Sequence, residues 1–330
     1  MRHLTTLLDV SSTEVREILK LASKLKSQTL RGKRAPLCER KVLTQVFEKP
    51  SLRTRVSFEA AMMQLGGQSI FMSSKDAGFN GRESKEDIAR VLGGFSDVIV
   101  LRTFSQELIE TFAQVAGCPV INGLSDEYHP CQALTDIMTI EEIAGNAAGK
   151  HIVYVGDGNN VAKSLAIACG HVGANFTVAA PRGYEIKEDF VQKVTSLFPK
   201  LKFQQFNDPY KAVEKADVIY TDVWASMGQE DEKDQRSKAF ADFQITTELL
   251  DAAGSDVLFM HCLPARRGLE VDDSVMEDPR SVVFLQAENR MHLAKGLIVW
   301  LLDQSEKKKK KVRAAKPVKK VRPAKKKKRR

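Results

Sequence analysis

Five short stretches gather the residues able to hold an anion or polarise a carbonyl, and each directly follows a strand-like run. The first is Ser51-Leu52-Arg53-Thr54-Arg55, where a helix is expected to begin. A helix N-terminus presents unpaired N–H groups and the positive end of the backbone dipole, so it attracts anions without further chemistry. The hydroxyls of Ser51 and Thr54 add donors, and Arg53 adds a planar fork matched to phosphate oxygens. Taken alone, these residues read equally as an N-cap followed by surface arginines. The second stretch runs from Gly123 to Asp136. Its His129 and Gln132 stand three apart around Pro130 at a helix start, so both project at a strand's C-terminal end, where open α/β sheets bind ligands.

The third, Val155-Gly156-Asp157-Gly158-Asn159-Asn160-Val161, invites a dinucleotide reading. Val161 replaces the third glycine of Gly-x-Gly-x-x-Gly, and Pro181-Arg182 stands where an acidic residue is needed. A polar turn presenting Asn160 to a small ligand fits better than an NAD-dependent oxidoreductase. The last two stretches are Asp222-Val223-Trp224-Ala225-Ser226-Met227-Gly228 and His261-Cys262-Leu263-Pro264-Ala265-Arg266. Asp222 can serve an amine as carboxylate partner, Ser226–Gly228 is a turn able to close over a ligand, and Cys262 brings a thiol to a cleft edge. Singly, these read as an N-cap aspartate and a buried thiol. Their common position at strand ends is what makes them a site.

Alternating strands and helices must position these stretches. Ser11-Ser12-Thr13-Glu14 can form a capping box, and Val15, Ile18, Leu19, Ala22 and Leu25 follow on one helical face. A second helix, opened by Lys49-Pro50-Ser51, is expected to turn Val56, Ala60 and Met63 to one side and to end at Gly66-Gly67. Strands are expected at 42–47, 69–72, 97–101, 120–122, 151–155, 176–179, 218–221, 257–260 and 282–285. Such alternation predicts α/β class, doubly wound parallel sheets with right-handed crossovers. The linker candidate is 145–149, after a helical stretch beginning at Pro130. A last helix is expected near 287–303, with Leu293, Leu297, Trp300 and Leu301 on one face.

A chain of 330 residues, 43% apolar and 28% charged, fits two globular domains. No stretch approaches the ~18–20 consecutive apolar residues of a membrane span, and the first residues include no secretory apolar core. Five scattered cysteines without Cys-x-x-Cys spacing argue against a disulfide framework or a structural zinc. A cytoplasmic protein with no membrane partner is expected. The excess of 51 Lys+Arg over 42 Asp+Glu lies wholly in residues 307–330, which hold 16 bases and no acid, so the body before them is mildly acidic.

The motifs Ser-x-Arg-Thr-Arg, His-Pro-x-Gln-x-Leu-x-Asp, Asp-x-Trp-x-Ser-Met-Gly and His-Cys-Leu-Pro, in this order and spacing, resemble the transcarbamylases, the aspartate/ornithine carbamoyltransferase superfamily. The likeness covers about residues 3–303 and is closest to the ornithine carbamoyltransferases, because Asp222 and His-Cys-Leu-Pro replace the arginines and His-Pro-Leu-Pro expected for an aspartate acceptor. It implies a carbamoyl-phosphate domain (1–145 plus 287–306, the last helix returning to the first domain) and an ornithine domain (146–286). It also implies a homotrimer with sites at subunit interfaces, and a role in arginine metabolism without metal or cofactor.

By that resemblance, Ser51, Leu52, Arg53, Thr54 and Arg102 hold the phosphate. His129, Gln132 and Arg290 hold the carbamoyl group, with Cys262 and the Leu263 carbonyl facing the reacting amine. Asn160, Asp222, Ser226 and Met227 grip ornithine. Arg102, His129, Cys262 and Arg290 are the expected catalytic set. Leu52 replaces the Thr or Met often found inside the first motif. The loop 75–83, which in the family reaches a neighbouring subunit's phosphate site, has no His. The alternatives are another amine acceptor, putrescine or an N-acylated ornithine, or a nucleic-acid-associated protein acting through its basic tail. Residues 307–330, without a periodic apolar face, are expected to be disordered and either inert or able to bind polyanions loosely.

Overall fold

A computed structural model describes residues 1–79, 81, 83–225, 228 and 230–315. Among the described residues, nine strands form two parallel sheets. The first contains β1 (Val42–Phe47), β2 (Gln68–Ser73), β3 (Val98–Arg102) and β4 (Val120–Leu124) in the order β2-β1-β3-β4. Its helices are α1 (Ser12–Leu30), α2 (Leu52–Gln64), α3 (Lys85–Phe95) and α4 (Gln106–Val115). Then α5 (Pro130–Ala144) leads out of this half and stops at Gly145 in the left-handed conformation.

The second sheet contains β5 (His151–Val155), β6 (Asn175–Ala179), β7 (Phe203–Phe206), β8 (Val218–Thr221) and β9 (Leu258–His261), ordered β7-β6-β5-β8-β9. Its connections are α6 (Asn160–Val172), α7 (Glu188–Leu197), α8 (Pro209–Ala212), α9 (Lys233–Ala239), α10 (Thr247–Ala253) and α11 (Asp273–Met276). Finally α12 (Val283–Ala315) returns to pack on α1, α2 and α5. Gly296 makes that approach close: a Cβ there would lie 2.7 Å from the Ala22 backbone nitrogen. The buried amine of Lys295 reaches Thr29 on α1, and the Trp300 indole donates to Glu17.

The capping box of α1 is present, with Ser11 accepting from Glu14 and Glu14 reaching back. The five apolar residues expected on its inner face are all buried. One apolar cluster runs from Leu43 and Val98 through Leu134 and Leu165 to Ile152 and Phe176, so α5 and α6 join the two sheets through a shared core. Apolar residues, mostly Val, Ile and Leu, dominate the central strands β3 and β5, which are covered on both faces.

Four sequence expectations need correction. The run 282–285 is not a strand: Ser281 makes a single bridge to Phe259, and α12 starts at Val283. A four-residue apolar run is equally compatible with a helix start, and length alone did not separate them. β7 was missed because Phe-Gln-Gln-Phe at a sheet edge has little apolar signal. On α2 the buried face is Thr54, Phe58, Ala61 and Met62, whereas Val56 and Met63 are exposed. Lastly, α12 continues to Ala315, past residue 306 where order was expected to end, because Lys, Arg and Ala are good helix formers. The rest of the tail lies outside the described residues.

Candidate active site

Each sheet reverses its strand order once, and both reversals open on one cleft. The reversals lie between β1 and β3 and between β5 and β8, the positions where doubly wound sheets leave a crevice at their C-terminal edge. The cleft has a volume of about 980 Å³. Ser51, Leu52, Arg53, Arg102, His129, Asn160, Asp222, Cys262, Leu263 and Arg290 line it. Thr54 and Gln132, both buried, stand one layer behind.

The wall from the first sheet is cationic. Ser51 caps α2, its Oγ accepting from the Thr54 N–H at 3.2 Å. Thr54 Oγ1 accepts from Arg290 Nη2 at 3.0 Å and lies 3.5 Å from Arg102 Nη1. Arg290 Nη1 donates to Gln132 Oε1 at 2.6 Å. Among the described residues no carboxylate forms an ion pair with Arg53, Arg102 or Arg290. Burial, then repulsion from Arg290 and Arg53, lowers Arg102 to about 10, and burial lowers Arg53 and Arg290 as well. A bound anion would reverse these shifts. The backbone brings N–H groups to the same point at the start of α2. Leu52 is exposed, so only its backbone amide can serve the anion.

His129 starts α5. Burial, followed by Arg290, Arg102 and Arg53, drives its pKa well below the usual 6.5. The imidazole is therefore neutral near pH 7, a state in which one ring nitrogen donates and the other accepts.

The opposite wall is acidic. Asp222 follows β8, its Oδ1 accepting from Val223 N–H at 2.8 Å and from Cys262 Sγ at 2.9 Å. Its Oδ2 accepts from Asn159 Nδ2 at 3.0 Å, while Asn159 Oδ1 caps α6. Burial, then Asp222, pushes the Cys262 thiol well above its usual range, so it is a hydrogen-bond donor rather than a thiolate nucleophile. Leu263 holds a left-handed φ of 58°, uncommon for a branched residue, and the Leu263–Pro264 peptide is cis. Asn160 ties the walls together by donating to the Ser125 carbonyl at 2.6 Å.

Ser226 and Met227 lie outside the described residues. Arg236, which sequence reading missed, holds Trp224 and Asp157 together. Its Nη1 donates to Asp157 Oδ2 at 2.9 Å and to the Trp224 carbonyl at 3.0 Å. Asn159 was also missed as the partner of Asp222, although its place at a helix N-cap was readable. Gly158 has a packing reason: a Cβ there would lie 2.6 Å from the Ile186 nitrogen, so the glycine serves a neighbouring loop rather than a dinucleotide. Asp222, His261 and Cys262 bring possible metal-ligand atoms within 4.8 Å of one another. Each already has a protein partner, His261 through Leu263 N–H and Glu270.

Comparisons with known proteins agree with this division of labour. Residues 2–142 match the family model for the aspartate/ornithine carbamoyltransferase carbamoyl-P binding domain, and residues 148–301 match that for the Asp/Orn binding domain. The chain is 47% identical over 299 residues to an ornithine carbamoyltransferase of Anoxybacillus flavithermus, covering 90% of this chain and 95% of the relative. It is 48% identical over 303 residues to that of Pyrococcus abyssi, covering 91% and 96%. The solved ornithine carbamoyltransferase from Pyrococcus furiosus superposes with a TM-score of 0.88 at 46% identity, covering 92% of this chain and 97% of that one. Two matched halves, a shared fold and a cleft built from the family's motifs lead to one conclusion: the chain belongs to the aspartate/ornithine carbamoyltransferase family.

Proposed function

We propose that this protein is an ornithine carbamoyltransferase, moving the carbamoyl group of carbamoyl phosphate to the δ-amine of L-ornithine to give L-citrulline and phosphate. The observation that carries the reading is the cup of Arg53, Arg102 and Arg290, without ion-pair partners among the described residues, facing the Asp222–Cys262 pair across one cleft. The cup suits a phosphate leaving group, and the acidic corner suits an amino acid's ammonium. An aspartate acceptor would need cations where Asp222 stands. The 1–145 plus 287–306 half would hold carbamoyl phosphate and the 146–286 half ornithine.

In this reading Ser51, Arg53, Thr54, Arg102 and the α2 amides hold the phosphate oxygens. Neutral His129 and Arg290 donate to the carbamoyl oxygen, and Gln132 fixes the carbamoyl amide. Asn160, Asp222, Ser226 and Met227 orient ornithine, while Cys262 and the Leu263 carbonyl face its δ-amine. The neutral amine attacks the carbonyl carbon: a C–N bond forms, the C–O bond to phosphate breaks, and an amine proton leaves with the phosphate. Phosphate departs readily, so alignment and charge stabilisation are the main tasks left to the protein.

Self-association, which the homotrimer reading requires, is supported by the exposed apolar side chains Leu52, Val56 and Met63 on α2 and Ile70 on edge strand β2. Among the described residues no helix is long and apolar enough to cross a membrane, which is compatible with a cytoplasmic site of action. The basic residues 307–330 favour a loose, salt-sensitive contact with polyanions as an accessory property. The deciding experiment is an assay of purified protein with carbamoyl phosphate against ornithine, putrescine, N-acetylornithine and aspartate. Citrulline formation at least a hundredfold above the other products is expected, and a preference for another acceptor would refute the reading.

A further inference from the structure

Asp136 is fully buried on α5, one turn beyond Gln132, and the mechanism above gives it no task. Its Oδ1 accepts from Gln132 Nε2 at 2.8 Å and from Gln286 Nε2 at 2.7 Å. Gln286 lies one turn before Arg290 on α12, and its Oε1 accepts from the backbone N–H of His261 at 3.0 Å. His261 ends β9 and precedes Cys262. One carboxylate therefore touches, through two amides, both the carbamoyl-side wall and the strand end that carries the thiol.

The amide of Gln132 is held between unlike neighbours. A guanidinium offers only donors, so the Gln132 carbonyl must face Arg290, which turns its NH2 to Asp136 Oδ1. In that orientation Gln132 Oε1 stands directly behind the cleft-lining Arg290 and holds its guanidinium, on the side from which it can accept from an incoming amide. With the acceptor at position 136 removed, a buried NH2 would lack a partner, and the side chain could rotate to find one.

We propose that Asp136 is a positioning residue for the carbamoyl group: it fixes the orientation of Gln132 and, through Gln286, sets the distance from Gln132 to the end of β9. The inference rests on the carbamoyl-phosphate reading of the cleft and deepens it. The relay meets the cationic cup only at Arg290, which donates to Gln132; Ser51, Arg53 and Arg102, the other residues assigned to the phosphate, make no hydrogen bond to Asp136, Gln132 or Gln286 among the described residues.

The test uses the full-length enzyme with Asp136→Leu, which removes the acceptor at similar volume, and Asp136→Asn, which keeps a carbonyl oxygen able to accept from both amides. Asp136→Leu is expected to raise the KM for carbamoyl phosphate at least tenfold. Inhibition by inorganic phosphate and the KM for ornithine should stay within threefold. Asp136→Asn should restore the KM for carbamoyl phosphate to within threefold of the parent. If the leucine variant does not fold, Asp136→Ala, which also lacks an acceptor, replaces it and must give the same split. An unchanged KM, an equal loss of phosphate inhibition, or an asparagine variant as impaired as the leucine one would overturn the proposal. A parent enzyme that forms no citrulline would instead sink the proposed function, so the two failures are distinguishable.

Discussion

Replacing Arg53 with alanine separates binding from stability. Arg53 is half-buried beside two other guanidiniums, and makes no hydrogen bond or ion pair among the described residues. The folded protein without ligand therefore loses little when it goes, and the repulsion felt by Arg102 is eased. A bound phosphate, by contrast, loses a charge-assisted fork whose bonds are each worth about 1.5–3 kcal/mol. Allowing for water that fills the gap, about 3 kcal/mol of transition-state stabilisation should vanish, roughly a 150-fold fall in kcat/KM for carbamoyl phosphate. Arg53→Ala should melt within about 2 °C of the parent or above it, since no native contact is broken. Saturating phosphate should raise the parent's Tm more than the variant's. Steady-state citrulline formation and a melting scan with and without phosphate read both quantities. Activity within threefold of the parent, or a stability loss that accounts for the activity loss, would refute the reasoning.

Asp222→Asn should raise the KM for ornithine at least tenfold and that for carbamoyl phosphate much less; normal ornithine kinetics would remove Asp222 from the site. All five cysteines are buried, with Cys38 and Cys131 pushed up to about 12 by desolvation, so a thiol reagent should find almost none in the folded protein at pH 8 and all five in urea. Rapid labelling of the native protein would contradict that placement. His292 is lowered to about 4 by burial and by Lys295 and Lys26. A base with a lowered folded pKa contributes full stability above its unfolded value near 6.5 and loses it as pH falls toward 4, at roughly 1.4 kcal/mol per pH unit. His292→Gln should therefore flatten the fall of Tm over that window. A chain ending at Ser305 should retain citrulline formation; its collapse would show that the basic segment has a role in catalysis.

The sequence was most legible where local chemistry and burial agree. Val15, Ile18, Leu19, Ala22 and Leu25 carry a helical period and a capping box, and all five face the core. The strand-end motifs are legible for a similar reason, since helix N-caps and anion donors require particular residue types. The Val56–Met63 side of α2 misled because periodicity reports which residues share a face but not what covers it. Arg236 and Gln286 left no local signal: their partners, Asp157 and Asp136, are 79 and 150 residues away. Such pairings depend on how two sheets meet, and no window of sequence contains them.

The return of α12 to α1 and α2 sets an order on biosynthesis. Arg290 and Gln286 leave the ribosome after both sheets have been made, so a nascent chain carries the cup without its third arginine. Only when α12 zips against α1 does the pocket close its circuit, which makes a finished pocket a built-in report that this helix has been made and docked.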